Sequence, residues 1–141
     1  MGYSALVERT IKLSPKRTYS ILVDDFGGIG KLLPEDVESV SMRGSGIGGV
    51  RVVRLKGTSS DLEERLEAAF DGRLMSYSLI KNDVLPLTAY HAVVELADAP
   101  GGGTTIRWGS NWIAKGAPEA EVKPMLEGLY NKIIDVIAKQ S

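Results

Sequence analysis

Residues 61–112 constrain the fold of this chain most. They read as three successive strands whose inward faces are apolar except for one carboxylate, one hydroxyl and a few aromatic rings. Met75, Tyr77 and Leu79 alternate with Ser76 and Ser78. Thr88, Tyr90, Ala92 and Val94 oppose Ala89, His91, Val93 and Glu95. Ile106, Trp108, Ser110 and Trp112 oppose Arg107, Gly109 and Asn111. Period-two alternation of this kind marks antiparallel strands with one buried face. A helix over residues 119–139 follows, with Val122, Met125, Leu126, Leu129, Tyr130, Ile133, Ile134 and Ile137 on one stripe at three- and four-residue spacing. Pro124 and Gly128 are expected on the opposite side, and Pro124 either kinks the first turns or marks the helix start. A stripe roughly 30 Å long by the helical rise needs a broad concave surface to cover it. A curved sheet closed by one long helix is a container, so the pattern implies a holder of a small, mostly apolar molecule.

The remaining segments fit that plan. Residues 3–13 alternate as a strand. Ser14-Pro15 is a helix start, a capping hydroxyl followed by proline at the first helical position. Tyr19, Ile21, Leu22 and Phe26 form a short apolar stripe that Gly27-Gly28 breaks, and a second short turn over residues 29–33 stops at Pro34. Residues 37–42 and 50–55 read as a hairpin around a glycine-rich turn. Residues 61–70 are two-sided. Ser60 and Glu63 mimic a capping box, yet Leu62, Leu66, Ala68 and Phe70 alternate cleanly against Glu63, Arg65 and Glu67, with Glu64 the polar intruder on the apolar side. Helix and strand stand level on pattern alone. Asp71-Gly72 then signals a hairpin turn.

Bulk properties exclude several functions. A length of 141 residues fits one domain. The net charge is −1 with both signs interspersed, which argues against a nucleic-acid partner or an anionic membrane surface. There is no cysteine, hence no disulfide, thiolate catalysis or sulfur-held metal, and the single histidine, His91, makes a zinc site or a histidine triad improbable. Its strand register turns it outward. No apolar run is long enough to span a bilayer, so membrane insertion is not expected. The start of the chain lacks a basic segment followed by an apolar run, and a cytoplasmic protein is the expectation. Residues 44–49, Gly-Ser-Gly-Ile-Gly-Gly, match the GxGxxG string, but a strand follows where a dinucleotide site needs a helix, so they are a hairpin turn. Asp24-Asp25, with no further ligands nearby, is a surface acidic pair rather than a metal pair, and no cofactor is implied.

The order strand, two short helices, six strands, long helix resembles the START-related (SRPBCC) superfamily, in particular its polyketide cyclase/dehydrase and lipid-transport branch. The residues that carry the resemblance are Asp25-Phe26-Gly27-Gly28 with Leu33-Pro34, Gly49-Val50-Arg51, Glu64-Arg65-Leu66, Tyr77-Ser78, Leu85-Pro86-Leu87 with Tyr90, and Thr105-Ile106-Arg107-Trp108, completed by the terminal helix. The resemblance spans nearly the whole chain and implies a single START-like ligand-binding domain over residues 1–141. The implied α+β architecture is the helix-grip fold, a seven-stranded curved antiparallel sheet wrapped around a long C-terminal helix, with two short helices between strands 1 and 2 and a cavity between sheet and helix. It places residues 61–70 in a strand. Two departures stand out. Leu33 sits where the branch often has tryptophan before the proline, and residues 57–60 are short where plant hormone receptors of the superfamily carry a gating loop.

The implied cavity would be lined by Val53, Leu55, Glu64, Leu66, Tyr77, Leu79, Tyr90, Ala92, Trp108, Ser110, Trp112, Met125, Leu129 and Ile133. Glu64 on an inward face is costly unless paired. It is either a ligand anchor or general acid/base, or the structural partner of a cation such as Arg51, which the resemblance places on the inward register with Val53 and Leu55. Arg51 in turn either meets a ligand carboxylate or enolate oxygen or supports the fold. The tryptophans are read equally as cavity wall and as plain core. The implied function is binding of a small hydrophobic molecule, such as a lipid, polyketide or isoprenoid. The alternative is a cofactor-free aromatase/cyclase or dehydratase-like lyase using Arg51, Glu64 and the cavity tyrosines. A weaker third is a ligand-responsive module that docks on another protein through the cavity mouth. Relatives occur as monomers and dimers, so a homodimer is a partner the resemblance allows.

Overall fold

A computed structural model of the chain describes residues 2–140. Seven antiparallel strands form one sheet: β1 (Ala5–Ile11), β2 (Val37–Arg43), β3 (Val50–Leu55), β4 (Asp61–Phe70), β5 (Leu74–Lys81), β6 (Leu87–Asp98) and β7 (Thr104–Ala114). Their spatial order is β1-β7-β6-β5-β4-β3-β2. Sequence neighbours pair throughout, except that β1 crosses to the far edge and pairs with β7. Between β1 and β2, helix α1 (Pro15–Tyr19) runs into a wide π turn (Ser20–Asp24), a 3-10 turn (Phe26–Gly28) and helix α2 (Ile29–Leu32). Helix α3 (Glu119–Ala138) lies in the concave face. The expected helix-grip architecture is the one observed.

The local chemistry explains the boundaries. The Ser14 hydroxyl accepts from the Arg17 N–H at 3.2 Å, capping α1, and Pro15 starts the helix where its missing N–H costs nothing. The glycine-rich segment 44–49 is the β2–β3 turn, with Gly44, Gly46 and Gly48 at positive φ. Residues 61–70 are a strand paired on both sides, because β3 and β5 each satisfy one edge of it.

Bulges bend the sheet and correct two details of the alternation. Between Leu66 and Ala68 of β4 the register shifts, so Ala69 packs on the core and Phe70, expected inward, is 67% exposed. Between Thr88 and His91 of β6 a second bulge, with Ala89 at φ +54°, turns Thr88 outward and delivers Tyr90 to the interior. Pro124 neither starts nor ends α3 but lies inside its second turn, and Glu119 is the first helical residue.

One flank of α3 is bolted to the edge strand β1. Glu127 Oε2 accepts the Leu6 N–H at 3.0 Å, and Arg9 reaches both the Asn131 carbonyl at 3.3 Å and Asp135 at 2.6 Å. Residues 127, 131 and 135 fall four apart, one per helical turn. Beneath that flank Ile134 and Ile137 are fully buried. The other flank stands away from β3, β4 and β5, with α2 closing the far side.

Candidate functional site

The space beneath this second flank is a cavity of about 600 Å³. Strand β3 contributes Arg51, Val53 and Leu55, β4 contributes Leu62 and Glu64, β5 contributes Tyr77 and Leu79, and β6 contributes Tyr90. Ile29 covers it from α2 and Leu33 from just beyond that helix, and Met125, Leu126, Leu129, Tyr130 and Ile133 from α3. Leu85 joins them from a loop that the Asn82 side chain holds. Its Oδ1 accepts the Val84 and Leu85 N–H groups at 2.9 and 2.8 Å, and its Nδ2 donates to the Leu85 and Leu87 carbonyls. At the mouth lie Glu35, Asp36, Lys56, Thr58 and Lys132, together with Pro124 and Gly128, which border the opening instead of facing away from it. Lys132 Nζ reaches Asp36 Oδ2 at 3.2 Å across the opening.

Nine of the expected lining residues, Val53, Leu55, Glu64, Tyr77, Leu79, Tyr90, Met125, Leu129 and Ile133, meet at this space, and Arg51 joins them. Leu66, Ala92, Trp108, Ser110 and Trp112 do not. They face inward, as their register requires, but are spent on solid packing, the four from β6 and β7 on the β1 side of the cavity. Trp108 stacks on Tyr130 with ring centres 5.1 Å apart and stands edge-on to Tyr77. The Trp112 indole N–H is buried without a hydrogen-bond partner among the described residues.

Tyr130 carries no site signal in the helical pattern, since a tyrosine on an apolar helical stripe reads as core. Its hydroxyl was the available signal, because a buried phenol needs a partner. The mouth charges carry no such signal, being ordinary surface residues in sequence.

Arg51 and Glu64 are cross-strand partners in the β3–β4 register. Arg51 Nε donates to Glu64 Oε1 at 2.8 Å and its Nη1 donates to the Phe26 carbonyl at 3.1 Å. The guanidinium lies 3.9 Å from the centre of the Phe26 ring and 5.1 Å from that of Tyr77, within cation–π range. The arginine side chain is 4% exposed and the glutamate 18%, so the pair forms a wall of the cavity with the carboxylate nearer the space. Glu64 is thus the structural partner of Arg51 and also a polar group on the lining.

The three tyrosines make a hydrogen-bonded file. Trp108 Nε1 donates to Tyr77 Oη at 3.3 Å, Tyr77 and Tyr90 are joined at 3.2 Å, Tyr90 bonds Tyr130, and Tyr130 donates to Ser110 Oγ at 2.7 Å. Burial raises all three phenols above their ordinary range, Tyr77 and Tyr90 strongly and Tyr130 to about 12. Each therefore keeps its hydrogen at neutral pH and offers a neutral polar group.

On the convex face His91 is exposed, and its Nδ1 lies 3.0 Å from Ser78 Oγ, outside the cavity. Asp25 accepts from Lys31 at 3.2 Å on the surface, and the described residues contain no cluster able to hold a metal ion. No helix among them is long and apolar enough to cross a membrane.

A family model described as polyketide cyclase / dehydrase and lipid transport matches residues 4–140. Among solved structures, the protein XoxI from Bacillus cereus superposes with a TM-score of 0.81 at 19% identity, covering 99% of this chain and 94% of that one. Ara h 8.0201 gives 0.79 at 21% identity, covering 94% and 93%. Truncated norcoclaurine synthase from Thalictrum flavum gives 0.75 at 16% identity, covering 95% and 89%. At these identities the structural likeness establishes the shared fold. No curated protein matches the chain in sequence.

Proposed function

This chain belongs to the polyketide cyclase/dehydrase and lipid transport family, and from that premise we propose that it binds and carries a small hydrophobic molecule, of lipid, polyketide or isoprenoid type, in the cavity between sheet and α3. The observation that carries this reading is the cavity itself, about 600 Å³ with a predominantly aliphatic lining and one charged mouth. A space of several hundred Å³ is the size of a small-molecule site. Left to packing alone, such a void would be costly, because lining atoms lose their contacts. Burial of an apolar ligand there gains about 25 cal/mol for each Å² removed from water.

The polar groups support holding more than turnover. Arg51 is engaged by Glu64, the Phe26 carbonyl and two ring faces. The tyrosines are bonded to one another and held neutral. A cyclase or dehydratase would need Glu64 to move a proton and Arg51 to steady developing enolate charge while the two are bonded to each other.

Native mass spectrometry of the protein purified from its own host should reveal a co-purifying apolar molecule. Glu64→Gln and Arg51→Met then separate the two activities. A carrier keeps its affinity for that molecule within about tenfold, the value of a hydrogen bond or two. Loss of turnover of the bound compound by about a hundredfold to ten-thousandfold, with binding intact, would instead establish acid–base catalysis.

A further inference from the structure

The file Trp108, Tyr77, Tyr90, Tyr130, Ser110 has a direction. An indole N–H can only donate, so the first bond runs from Trp108 to Tyr77. At the far end the Tyr130 hydroxyl donates to Ser110 Oγ at 2.7 Å. A phenol carries a single hydrogen. Tyr130 has thus none left for Tyr90, and Tyr90 must donate to Tyr130. By the same count Tyr77 donates to Tyr90. All four hydrogens are consumed inside the protein. Each phenol oxygen accepts once and retains one further acceptor position. Tyr77, Tyr90 and Tyr130 all line the cavity, whereas Trp108 and Ser110 lie behind it. Glu64, which accepts from Arg51, stands on the same lining, and a carboxylate so paired only accepts.

We propose that this wall selects the polar end of the ligand as a hydrogen-bond donor, an aromatic or aliphatic hydroxyl, over a ketone, ester or carboxylate. The inference rests on the carrier reading and adds the chemical class of the cargo. A hydroxyl placed against the tyrosines finds lone pairs to donate to. A carbonyl placed there meets only lone pairs and gives up its water without replacement. A carboxylate placed against the tyrosines likewise meets only lone pairs.

Three probes share one ring system and differ at the polar end: 2-naphthol, 2-methoxynaphthalene and 2-acetylnaphthalene. Titration calorimetry on the wild-type protein should show 2-naphthol binding about threefold to tenfold more tightly than the other two, one hydrogen bond's worth. Ser110→Ala removes the terminal acceptor without altering the lining. Tyr130 is then free to donate to Tyr90, the file reverses, and Tyr77 turns its hydrogen toward the cavity. The preference should shift toward 2-acetylnaphthalene by a similar factor. Tyr77→Phe, which cuts the file at its cavity end, should narrow the spread among the probes to about twofold or less, so the inference does not depend on the folding of one variant. Equal or tighter binding of the ketone by the wild type, or an unchanged preference in Ser110→Ala, would overturn the donor selection and leave the carrier reading standing. Binding of none of the three would overturn both.

Discussion

The two flanks of α3 behave differently although one apolar stripe serves both. On the flank facing β1 the interior is solid, with Ile134, Ile137, Trp108 and Ser110 at 1% exposure or less. On the flank facing β3 to β5, Met125 and Leu129 are only half-buried, and a cavity of about 600 Å³ separates them from the sheet. The difference lies in how the helix is held. Glu127, Asn131 and Arg9 with Asp135 fasten it to β1 by hydrogen bonds and ion pairs, whereas at the opening the Lys132–Asp36 pair is a solvent-exposed contact of small worth. The stabilising contacts are concentrated along one side, which lets the other side stay open for a guest. The tyrosine file runs between the two regions, anchored in the solid one and facing the open one.

Truncation should separate the flanks most clearly. Ile134→Ala should cost about 2–5 kcal/mol in urea denaturation, as a fully packed core position does. Leu129→Ala, which only enlarges an existing space, should cost about 1 kcal/mol or less, because few contacts are lost. Equal losses at the two sites would break the contrast.

Alkaline titration tests the file between them. The folded protein holds Tyr77, Tyr90 and Tyr130 above the ordinary tyrosine value of about 10. Below pH 10 both folded and unfolded chains keep these hydrogens, and their contribution is complete. Above it the unfolded chain releases them while the folded one does not. Stability should therefore fall by about 1.4 kcal/mol per pH unit for each such tyrosine, for Tyr130 until about pH 12. Tyr130→Phe should lessen the slope by that amount, read from denaturation midpoints between about pH 10 and 12.

The smallest effect concerns the open flank alone. A Cβ at Gly128 would meet no atom within 4 Å. Gly128→Ala should stabilise the protein by about 0.5–1 kcal/mol through helix propensity, measured by thermal denaturation.

Much of the architecture was legible because it depends on local periodicity. The α3 stripe, the Ser14 cap, the glycine turn at 44–49 and the alternation of β5 and β7 are each readable within a dozen residues. The β4 segment was not. Its helix-forming residues and its strand alternation balance, and the decision comes from β3 and β5, which supply the ladder on either side. The bulges at Leu66/Ala68 and Thr88/His91 were equally invisible, since an extra residue in one strand shows only against its partner. Phe70 and Thr88 were thereby misdirected.

The sequence by itself determined that a bent sheet would receive one long amphipathic helix, and that Tyr77 and Tyr90 would point inward, because side-chain direction follows from strand period. Only the tertiary structure decided which part of the interior is filled. Trp108, Ser110 and Trp112 share the inward register with the cavity residues, yet they pack solidly because Tyr130 and the β1-facing side of α3 come down upon them. Whether a side chain meets a neighbour or a void depends on residues tens of positions away, and periodicity along a single segment carries no information about them.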